Sequence, residues 1–446
     1  MDRFARINYI CYICLMISKK EIKQTSDRQT NDLLQRESYP REAIDHVRNI
    51  DGFATVISGV RRCGKSTFMS QLIKKEIETS PKTKVFYLNF DTPAMYGFAM
   101  DHFALIDDIL ADRNVTSIYM DEVQTVDGWE VYVRGKLDEG YRVTVTGSNA
   151  SMLSRELGTK LTGRHLTYEM FPFSYNEFCG YTGTKATPAA TKQYMNKGGF
   201  PAYLASGEPA VLNELVNDLI YRDIAVRYKL RDVQTLKRVA SLLLSNIGNI
   251  VTATKMKSQL GLGSATTMNE YLSYFNECYL FEFVSKFSYS AKARMISPRK
   301  VYCIDTGVVN VSGVNFSSNV GHYLENMVYM ALRRHTKDIS YFSNQSGECD
   351  FIVAENITPF LAIQVCHELS TENRFRETKG LLLAMEELNI SKGIIITTAQ
   401  EDTIIETGKR IDIVQFDKLD KYLADMMQAH KMLKPSQPKR GMGGMR

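Results

Sequence analysis

The stretch SGVRRCGKSTFMSQL, near residue 60, contains the pattern G-x-x-x-x-G-K-[ST], and no other feature of the chain restricts its fold as strongly. Gly59 and Gly64 permit a tight turn that points backbone N–H groups at a phosphate. Lys65 is placed to reach the β- and γ-phosphates, and Ser66 to ligate Mg²⁺. The apolar run FATVI before the motif predicts a buried strand, and the residues after it have the apolar spacing of a helix. The sequence therefore predicts an α/β domain with a phosphate at a helix N-terminus.

A second motif, TSIYMDEVQ, supplies the carboxylates that a magnesium–nucleotide site requires. Its apolar residues end in Asp121 and Glu122, at the C-terminal edge of a buried strand, where open parallel sheets bind ligands. We expect Asp121 to hold Mg²⁺ and Glu122 to polarise the attacking water. The alternative is an exposed strand end with two solvated acids. The loop and first helical turn are expected to contact ATP through Gly59, Val60, Arg61, Arg62, Cys63, Gly64, Lys65, Ser66 and Thr67.

Two further strands are predicted from KVFYLNFD, between the two motifs, and from YRVTVTGSN, after them. The second strand ends in polar residues. Ser148 or Asn149 would contact the γ-phosphate or the attacking water from this neighbouring strand. A Gly-Ser-Asn turn that caps the next helix is an equally good interpretation of the same residues.

These motifs resemble the AAA-type P-loop ATPases that have an extra strand between the nucleotide motifs and a glutamate beside the magnesium aspartate. More narrowly, GVRRCGKST, YMDEVQ, TGSNASMLSREL, LTGRHLTYEMFPFSYNEF and YRDIAVRYKLRD resemble a large prokaryotic group of AAA ATPases that carry a C-terminal domain of unknown function. The resemblance covers nearly the whole chain after Met16. It implies a parallel-sheet core and an ATPase that uses ATP and Mg²⁺.

ATP hydrolysis of this type also uses a cation near the γ-phosphate, from the same chain or from a neighbouring subunit. The resemblance places a GR pair in LTGRHL, which makes Arg164 the first candidate. Arg62, in the loop itself, and Arg155 come next. For each of them the alternative is a surface or salt-bridged arginine.

The length of 446 residues predicts two or three domains, each with its own core. We expect an N-terminal helical segment at residues 16–49 and the ATPase core at 50–205. Residues 206–300 follow with short helices and then a hairpin pattern, which is typical of a winged-helix module. An α/β domain is expected at residues 301–425.

DNA binding by the winged-helix module is one interpretation of its charge. Nine Lys and Arg residues, Lys300 among them, stand against three Glu residues between positions 235 and 300, and nine minus three gives an excess of about +6. The third helix, beginning near Ser264, would face DNA, although it is not itself basic. Its Tyr271, Tyr274 and Phe275 are interpreted as core or interface residues. The alternative is a helical packing or oligomer contact.

The order of predicted elements after residue 300, helix, three strands, helix and strand, resembles the restriction-endonuclease-like core. Nucleases of that kind place metals with a helix glutamate, a strand aspartate and an E/Q-x-K pair, and the matching residues are Glu325, Asp350 and Gln364. Cys366 stands at the lysine position, where a neutral thiol neither orients water nor stabilises developing charge. Lys379, on the following helix, is an alternative donor. We expect a nuclease-like fold that binds a partner or nucleic acid without cutting.

The ends of the chain and its overall composition add less. Residues 1–15 are interpreted as a non-native upstream extension, with a weak signal peptide as the alternative, and residues 426–446 as a disordered basic tail. The apolar stretch INYICYICLMI is too short to span a membrane. Eight cysteines without metal-ligand pairs indicate a reduced, cytoplasmic setting.

Three uses remain open: a DNA-directed ATPase, a self-associating ATP-driven switch that binds a protein partner, and an ATP-coupled nuclease.

Overall fold

The computed structural model describes residues 17–148, 161, 163–312 and 320–432. The predicted upstream extension and most of the predicted basic tail lie outside these ranges. Within them, no helix is long and apolar enough to cross a membrane. The cysteines of the described ranges are free thiols with buried side chains.

The strands and helices follow the predicted order, with additional elements that the periodicity did not indicate. The strands are β1 Ala54–Gly59, β2 Val85–Asn89, β3 Ser117–Asp121, β4 Arg142–Gly147, β5 His165–Met170, β6 Ile250–Val251, β7 Phe281–Ser285, β8 Arg299–Cys303, β9 Ile339–Ser343, β10 Glu348–Glu355, β11 Thr358–Val365, β12 Gly393–Thr397, β13 Asp402–Glu406 and β14 Lys409–Gln415. The α-helices are α1 Lys19–Gln35, α2 Lys65–Thr79, α3 Phe103–Arg113, α4 Trp129–Asp138, α5 Tyr175–Thr182, α6 Pro188–Lys197, α7 Pro201–Ser206, α8 Ala210–Asp218, α9 Val233–Leu244, α10 Ala253–Leu260, α11 Ala265–Glu277, α12 Ala291–Ile296, α13 Thr306–Val311, α14 Val320–His335, α15 Arg374–Glu387 and α16 Leu419–Met432. A π-helix, Leu219–Val226, continues directly from α8.

The first of two compact units contains the described parts of residues 1–183, 199–241 and 256–282. Its sheet has the strand order β2–β3–β4–β1–β5, and all of its pairings are parallel. The predicted α/β class and the strand between the two nucleotide motifs are thereby confirmed. Because β4 lies between β1 and β3, the end of β4 separates the phosphate loop from the acidic pair.

Both faces of this sheet are buried, as expected for parallel strands covered by helices. Along β2, Phe86 and Leu88 belong to the larger apolar cluster, together with Trp129 of α4. Tyr87, between them, points to the opposite face and belongs to a smaller cluster with Met69 of α2. A one-residue slip would exchange these faces, so the core fixes the register that aligns the carboxyl ends of the strands.

Gly59, the last residue of β1, is opposite Met170 at the end of β5. Its φ is +149°. A Cβ at this position would lie 2.1 Å from the backbone oxygen of Met170. The first glycine of the motif is therefore required by the close approach of two strands as well as by the turn that follows.

The second unit contains residues 184–198 and 242–255 and the described parts of 283–446. Its main sheet has the order β13–β14–β12–β11–β10–β9. The pairs β9–β10 and β10–β11 are antiparallel, whereas β11–β12 and β12–β14 are parallel. A smaller sheet has the order β6–β8–β7. Residues 206–300 are divided between the two units, and the winged-helix interpretation stays a prediction.

Gly59→Ala should destabilise the first unit, because the added methyl group would overlap the Met170 carbonyl and force β1 and β5 apart. We expect a loss of about 1–3 kcal/mol in the free energy of unfolding. Urea denaturation followed by circular dichroism would measure it. Gly135→Ala in α4 is the control, since a Cβ there meets no described atom within 4 Å. Equal midpoints for the two variants would contradict the prediction.

Candidate functional site

The phosphate loop connects β1 to α2 in two left-handed steps. Arg62 has a φ of +63° and Gly64 a φ of +103°, and Gly64 is the residue that precedes α2. Val60 and Cys63 are buried, and Thr67 lies in the first turn of the helix. The N–H groups at the start of α2 therefore lie at the carboxyl edge of the sheet, where their partial positive charge favours an anion.

Lys65 folds back over the loop. Its Nζ donates hydrogen bonds to the carbonyl oxygens of Gly59 and Val60, each at 3.1 Å. It also lies 3.8 Å from Oε1 of Glu122, and only 4% of the residue is exposed. The lysine of the first motif and the glutamate of the second are thus brought together, as the sequence predicts.

Arg41 binds the backbone of the phosphate loop through its guanidinium. No motif in the sequence identifies this residue. Its Nη1 donates to the Cys63 oxygen at 3.0 Å, and its Nη2 to the Phe171 oxygen at 2.7 Å. Nε forms an ion pair with Glu177 at 2.8 Å. The only local signal is an arginine after a proline in SYPREAI, and the partners are distant in sequence.

Asp121 is fully buried at the end of β3. Tyr87 Oη and Asn89 Nδ2 each donate to its Oδ2 at 3.0 Å, and the Thr146 hydroxyl donates to Oδ1. Burial raises the pKa of Asp121, as does the neighbouring Glu122 charge, whereas hydrogen bonds from donors that include the Ser66 hydroxyl lower it. The serine predicted to share Mg²⁺ with Asp121 therefore lies close enough for its hydroxyl to influence this carboxylate.

Glu122 has an unusual backbone. Its φ of +53° is in the left-handed region, which is strained for a residue with a Cβ. Its N–H donates to the Thr146 Oγ1 at 2.9 Å, and the Gln124 amide donates to its Oε2. The turn aims the carboxylate towards Lys65.

Thr146, at the end of β4, contacts both acids of the second motif, a role that the sequence analysis did not assign. Its neighbour Ser148 is buried and accepts a hydrogen bond from Gln124 Nε2 at 3.4 Å. Gln124 therefore connects Ser148 to Glu122. The other sensor candidate, Asn149, lies outside the described residues, as does Arg155.

Arg164 lies at the opposite edge of the sheet from the phosphate loop. Its carbonyl accepts from the N–H of Ala54 at 3.0 Å, and Ala54 is the first residue of β1. The length of β1, about 16 Å, separates this position from Gly59. The guanidinium forms an ion pair with Asp138 at 2.8 Å. A contact with the phosphate of its own chain is therefore ruled out by the geometry, which leaves a salt-bridged surface arginine or a role in a neighbouring subunit.

The two loop arginines do lie at the correct edge. Arg61 forms a two-point contact with Asp223 in the π-helix, at 3.1 and 3.2 Å. Arg62 contacts Asp218, the last residue of α8, at 2.6 Å. The motif YRDIAVRYKLRD, which had no assigned role, thus supplies a direct partner for the loop.

The second unit contains a separate charge cluster, which we call the Lys300 cluster and define as Lys300, Tyr302, Glu325, Glu348 and Asp350; all of these residues except the exposed Glu348 are buried. The Lys300 Nζ lies 3.0 Å from Glu325, 2.7 Å from Glu348 and 2.9 Å from Asp350. The Tyr302 hydroxyl donates to Glu325 at 2.7 Å. One ammonium group therefore contacts three carboxylates at the place where the sequence predicted nuclease-like metal ligands.

Two of the nuclease-like assignments need correction. Lys379 is exposed on α15, and Lys300, from β8, is the lysine that meets Glu325 and Asp350. Gln364 donates to Glu377 at 3.1 Å. Among the described residues, no group of three or more His, Cys, Asp or Glu side chains has a geometry that could hold a metal ion.

Comparisons with known proteins agree with the fold. A family profile for an AAA domain matches residues 51–179, and a profile for a domain of unknown function, DUF8612, matches residues 189–318. Among solved structures, Cdc6p from Pyrobaculum aerophilum has 13% identity and a TM-score of 0.29, over 57% of this chain and 91% of that one. The ORC1 protein of Aeropyrum pernix, solved in complex with DNA, has 10% identity and a TM-score of 0.25, over 64% and 91%. These TM-scores are too low to support an argument about the fold. The assignment of the fold rests instead on the parallel sheet and on the AAA-domain match.

The parallel sheet, the phosphate loop and the AAA-domain match define an AAA-type P-loop protein of the ATPase class. The chain is 31% identical over 394 residues to the uncharacterized protein MJ1544 of Methanocaldococcus jannaschii. The aligned region covers 81% of this chain and 87% of that protein. The chain belongs to the same family as MJ1544. An uncharacterized protein of Haemophilus influenzae is 28% identical over 403 residues, covering 86% of this chain and 98% of that one.

Thr146→Val should destabilise the end of β4, because it removes the donor to Asp121 and the acceptor of the Glu122 N–H while keeping the shape of the side chain. We expect a loss of about 1–3 kcal/mol in the free energy of unfolding. Urea denaturation would measure it, with Thr144→Val on the same strand as the matched control. A Thr146 variant no less stable than this control would contradict the assigned contacts.

Lys300→Met should destabilise the second unit by about 3–5 kcal/mol, because it leaves buried carboxylates without a cation. Adding Asp350→Asn should recover part of this loss by removing one of the unpaired charges. Urea denaturation of Lys300→Met, Asp350→Asn and the double variant, each compared with the native chain, would test both statements. Lys379→Met is the control and should stay within about 0.5 kcal/mol of the native chain. Additive effects of Lys300→Met and Asp350→Asn would show that the two residues are not coupled.

Proposed function

We propose that this chain is a Mg²⁺-dependent ATPase that works as a nucleotide-driven switch. The observation that carries the proposal is the convergence of Lys65, Asp121 and Glu122 at the carboxyl edge of one sheet, with Thr146 joining the two acids. In this proposal Lys65 binds the β- and γ-phosphates and Glu122 orients the attacking water. The loop N–H groups bind the remaining phosphate oxygens.

The residues of the site fit a magnesium ion. Asp121 is a fully buried carboxylate next to a second acid, and a cation at this point would relieve its unfavourable burial. The Ser66 hydroxyl lies close enough to lower the pKa of Asp121, and oxygen ligands of these two kinds suit Mg²⁺. The ion, when bound with ATP, neutralises charge that develops on the phosphates.

Each step can then be assigned to the chain's own groups. ATP phosphates compete with the Gly59 and Val60 carbonyls for the Lys65 ammonium, so that the ammonium group exchanges these carbonyls for phosphate oxygens. Glu122 is held by its strained turn and by Gln124, which directs one carboxylate oxygen towards the water that attacks the γ-phosphate. A base held in this way contributes about 10²–10⁴-fold to a rate.

Charge and burial in residues 235–300 support a switch more than a DNA-directed motor. Lys300 is neutralised by the carboxylates of its cluster and adds nothing to a basic surface. In α11, Tyr271 and Phe275 are buried, and Tyr274 stacks on Tyr228 at 3.8 Å between ring centres. The predicted DNA-facing helix thus uses its aromatic residues for packing, as the sequence analysis expected.

We also propose that the second unit has a restriction-endonuclease-like fold that does not cut nucleic acid. The chain order of α14, β9, β10, β11, α15 and β12 supports the fold. The Lys300 ammonium supports the absence of cutting, because it competes with any divalent cation for Glu325 and Asp350. The winged-helix interpretation, self-association and a role for Arg164 in a neighbouring subunit are kept as parts of the proposal.

Glu122→Gln should lower the steady-state rate of ATP hydrolysis by about 10²–10⁴-fold while ATP binding is retained, because only the base is lost. The measurement compares hydrolysis and ATP binding at physiological salt, with and without duplex and single-stranded DNA. Glu139→Gln, an exposed residue of the same unit, is the matched control.

The outcomes separate the possible uses of the ATPase. A Glu122-dependent rate that DNA does not change supports the switch. A rate raised by DNA in a salt-dependent way would assign the chain to DNA instead. Hydrolysis that persists in the Glu122 variant would overturn the proposed site.

A further inference from the structure

Arg61 and Arg62 are held by acids from a helical segment about 160 residues further along the chain. We call this segment, α8 with the π-helix, the clamp helix, residues 210–226. Asp223 binds Arg61 through both carboxylate oxygens. Asp218 binds Arg62. A two-point arginine–carboxylate contact is directional and strong when it is shielded from water.

The Arg61 contact is the more buried of the two. The Arg61 side chain is 16% exposed and that of Asp223 is 3% exposed, compared with 40% and 26% for Arg62 and Asp218. Asp91 lies 3.9 Å from the same guanidinium and also meets Arg222 of the π-helix at 3.5 Å. Arg61 is therefore the main connection between the phosphate loop and the clamp helix.

Arg61 also faces the reacting end of the site. Burial tends to lower its pKa, but Asp223, Glu122 and Asp91 together raise it. Glu122, the proposed base, is thus among the acids close enough to act on this guanidinium. A terminal phosphate placed between Lys65 and Glu122 would lie within the same group of charges.

The clamp helix has an unusual backbone conformation. It contains eight π-helical residues, and π-helical turns are rare and frequently occur at functional sites. Its buried Asp223 would lose its partner if Arg61 moved. The segment would then have to shift to bring this carboxylate to water or to another cation.

Building on the proposed ATPase function, we propose that Arg61 is the cation that binds the γ-phosphate and that Asp223 holds it when no triphosphate is present. Binding of ATP moves the guanidinium from Asp223 to the terminal phosphate and releases the clamp helix. ADP has no γ-phosphate, so it leaves the Arg61–Asp223 contact in place. The clamp helix therefore reports which nucleotide is bound.

The other arginines considered for this role are less well placed. Arg164 lies at the opposite edge of the sheet. Arg62 is more exposed, and its pair with Asp218 is correspondingly more open to solvent and salt. Arg61 alone, among the three, combines position in the loop with burial and proximity to Glu122.

The test compares ATP and ADP affinities of the native chain with those of Arg61→Ala and Asp223→Asn, using fluorescent nucleotide analogues and competition. Arg61→Ala should weaken ATP about 10- to 100-fold more than ADP, because it removes a charged hydrogen bond to the γ-phosphate. Asp223→Asn should strengthen ATP more than ADP, because it removes the competitor. Arg113→Ala is the matched control, since this arginine pairs with Asp27 at 2.8 Å in the same unit.

Hydrogen exchange gives a second readout. Amides of residues 219–226 should exchange faster in the native chain with a non-hydrolysable ATP analogue than with ADP, and this difference should vanish in Arg61→Ala. If Arg61→Ala does not fold, the double variant Arg61→Ala/Asp223→Ala removes the unpaired acid and should still lose the preference for ATP.

Equal loss of ATP and ADP affinity in Arg61→Ala, with no nucleotide dependence of exchange, would overturn the inference and leave Arg61 a structural anchor. The proposed ATPase function is judged separately. It fails if the native chain binds no nucleotide, or if Lys65→Ala binds ATP as well as the native chain does.

Discussion

The first unit depends on one fully buried carboxylate, that of Asp121. Hydroxyl and amide groups from the two neighbouring strands converge on it: Tyr87 and Asn89 from β2 and Thr146 from β4, and the Ser66 hydroxyl of α2 lies close to it. A buried charge with so many donors can be accommodated only if these strands end at the same level. Because the Asp121 carboxylate needs hydrogen-bond donors, β2, β3 and β4 are aligned with the phosphate loop. Thr146 also accepts from the Glu122 N–H and so fixes the position of Glu122.

Local patterns were sufficient to predict the core of the fold. The apolar runs before the two nucleotide motifs gave β1 and β3, and the residues after Lys65 gave α2, because motif and buried face coincide in sequence. β5, β13 and β14 were missed, since their alternation is weak and only part of each strand is buried. The phosphate loop and the acidic pair lie at the same edge of the sheet, as expected, because each motif places its own side chains at a strand end.

Long-range contacts could not be predicted from the sequence. Lys300 was counted in the positive charge for which DNA binding was one interpretation, but Glu325 and Asp350, which are 25 and 50 residues away in sequence, pair with it. Arg41 and Asp223 were not singled out for the same reason: their partners become neighbours only when the sheet and the clamp helix assemble. The distance of Arg164 from the phosphate loop of its own chain could not be predicted either, because a motif carries no information about which end of its strand faces the ligand.

The two charge networks of the chain differ in how freely their cations can change partners. Lys300 is 3% exposed and bound by three carboxylates, so a competing ion would have to displace several short contacts in a medium where separated charges are unfavourable. Arg61 is about five times more exposed, at 16%, and lies in a loop beside helix N–H groups that attract an anion. In the proposed mechanism, a terminal phosphate offers Arg61 a partner as strong as Asp223, which it would leave. The described residues offer Lys300 no such alternative partner. For this reason the same chemistry, a basic side chain among acids, stabilises the structure of one unit and, in the mechanism we propose, makes the other respond to a nucleotide.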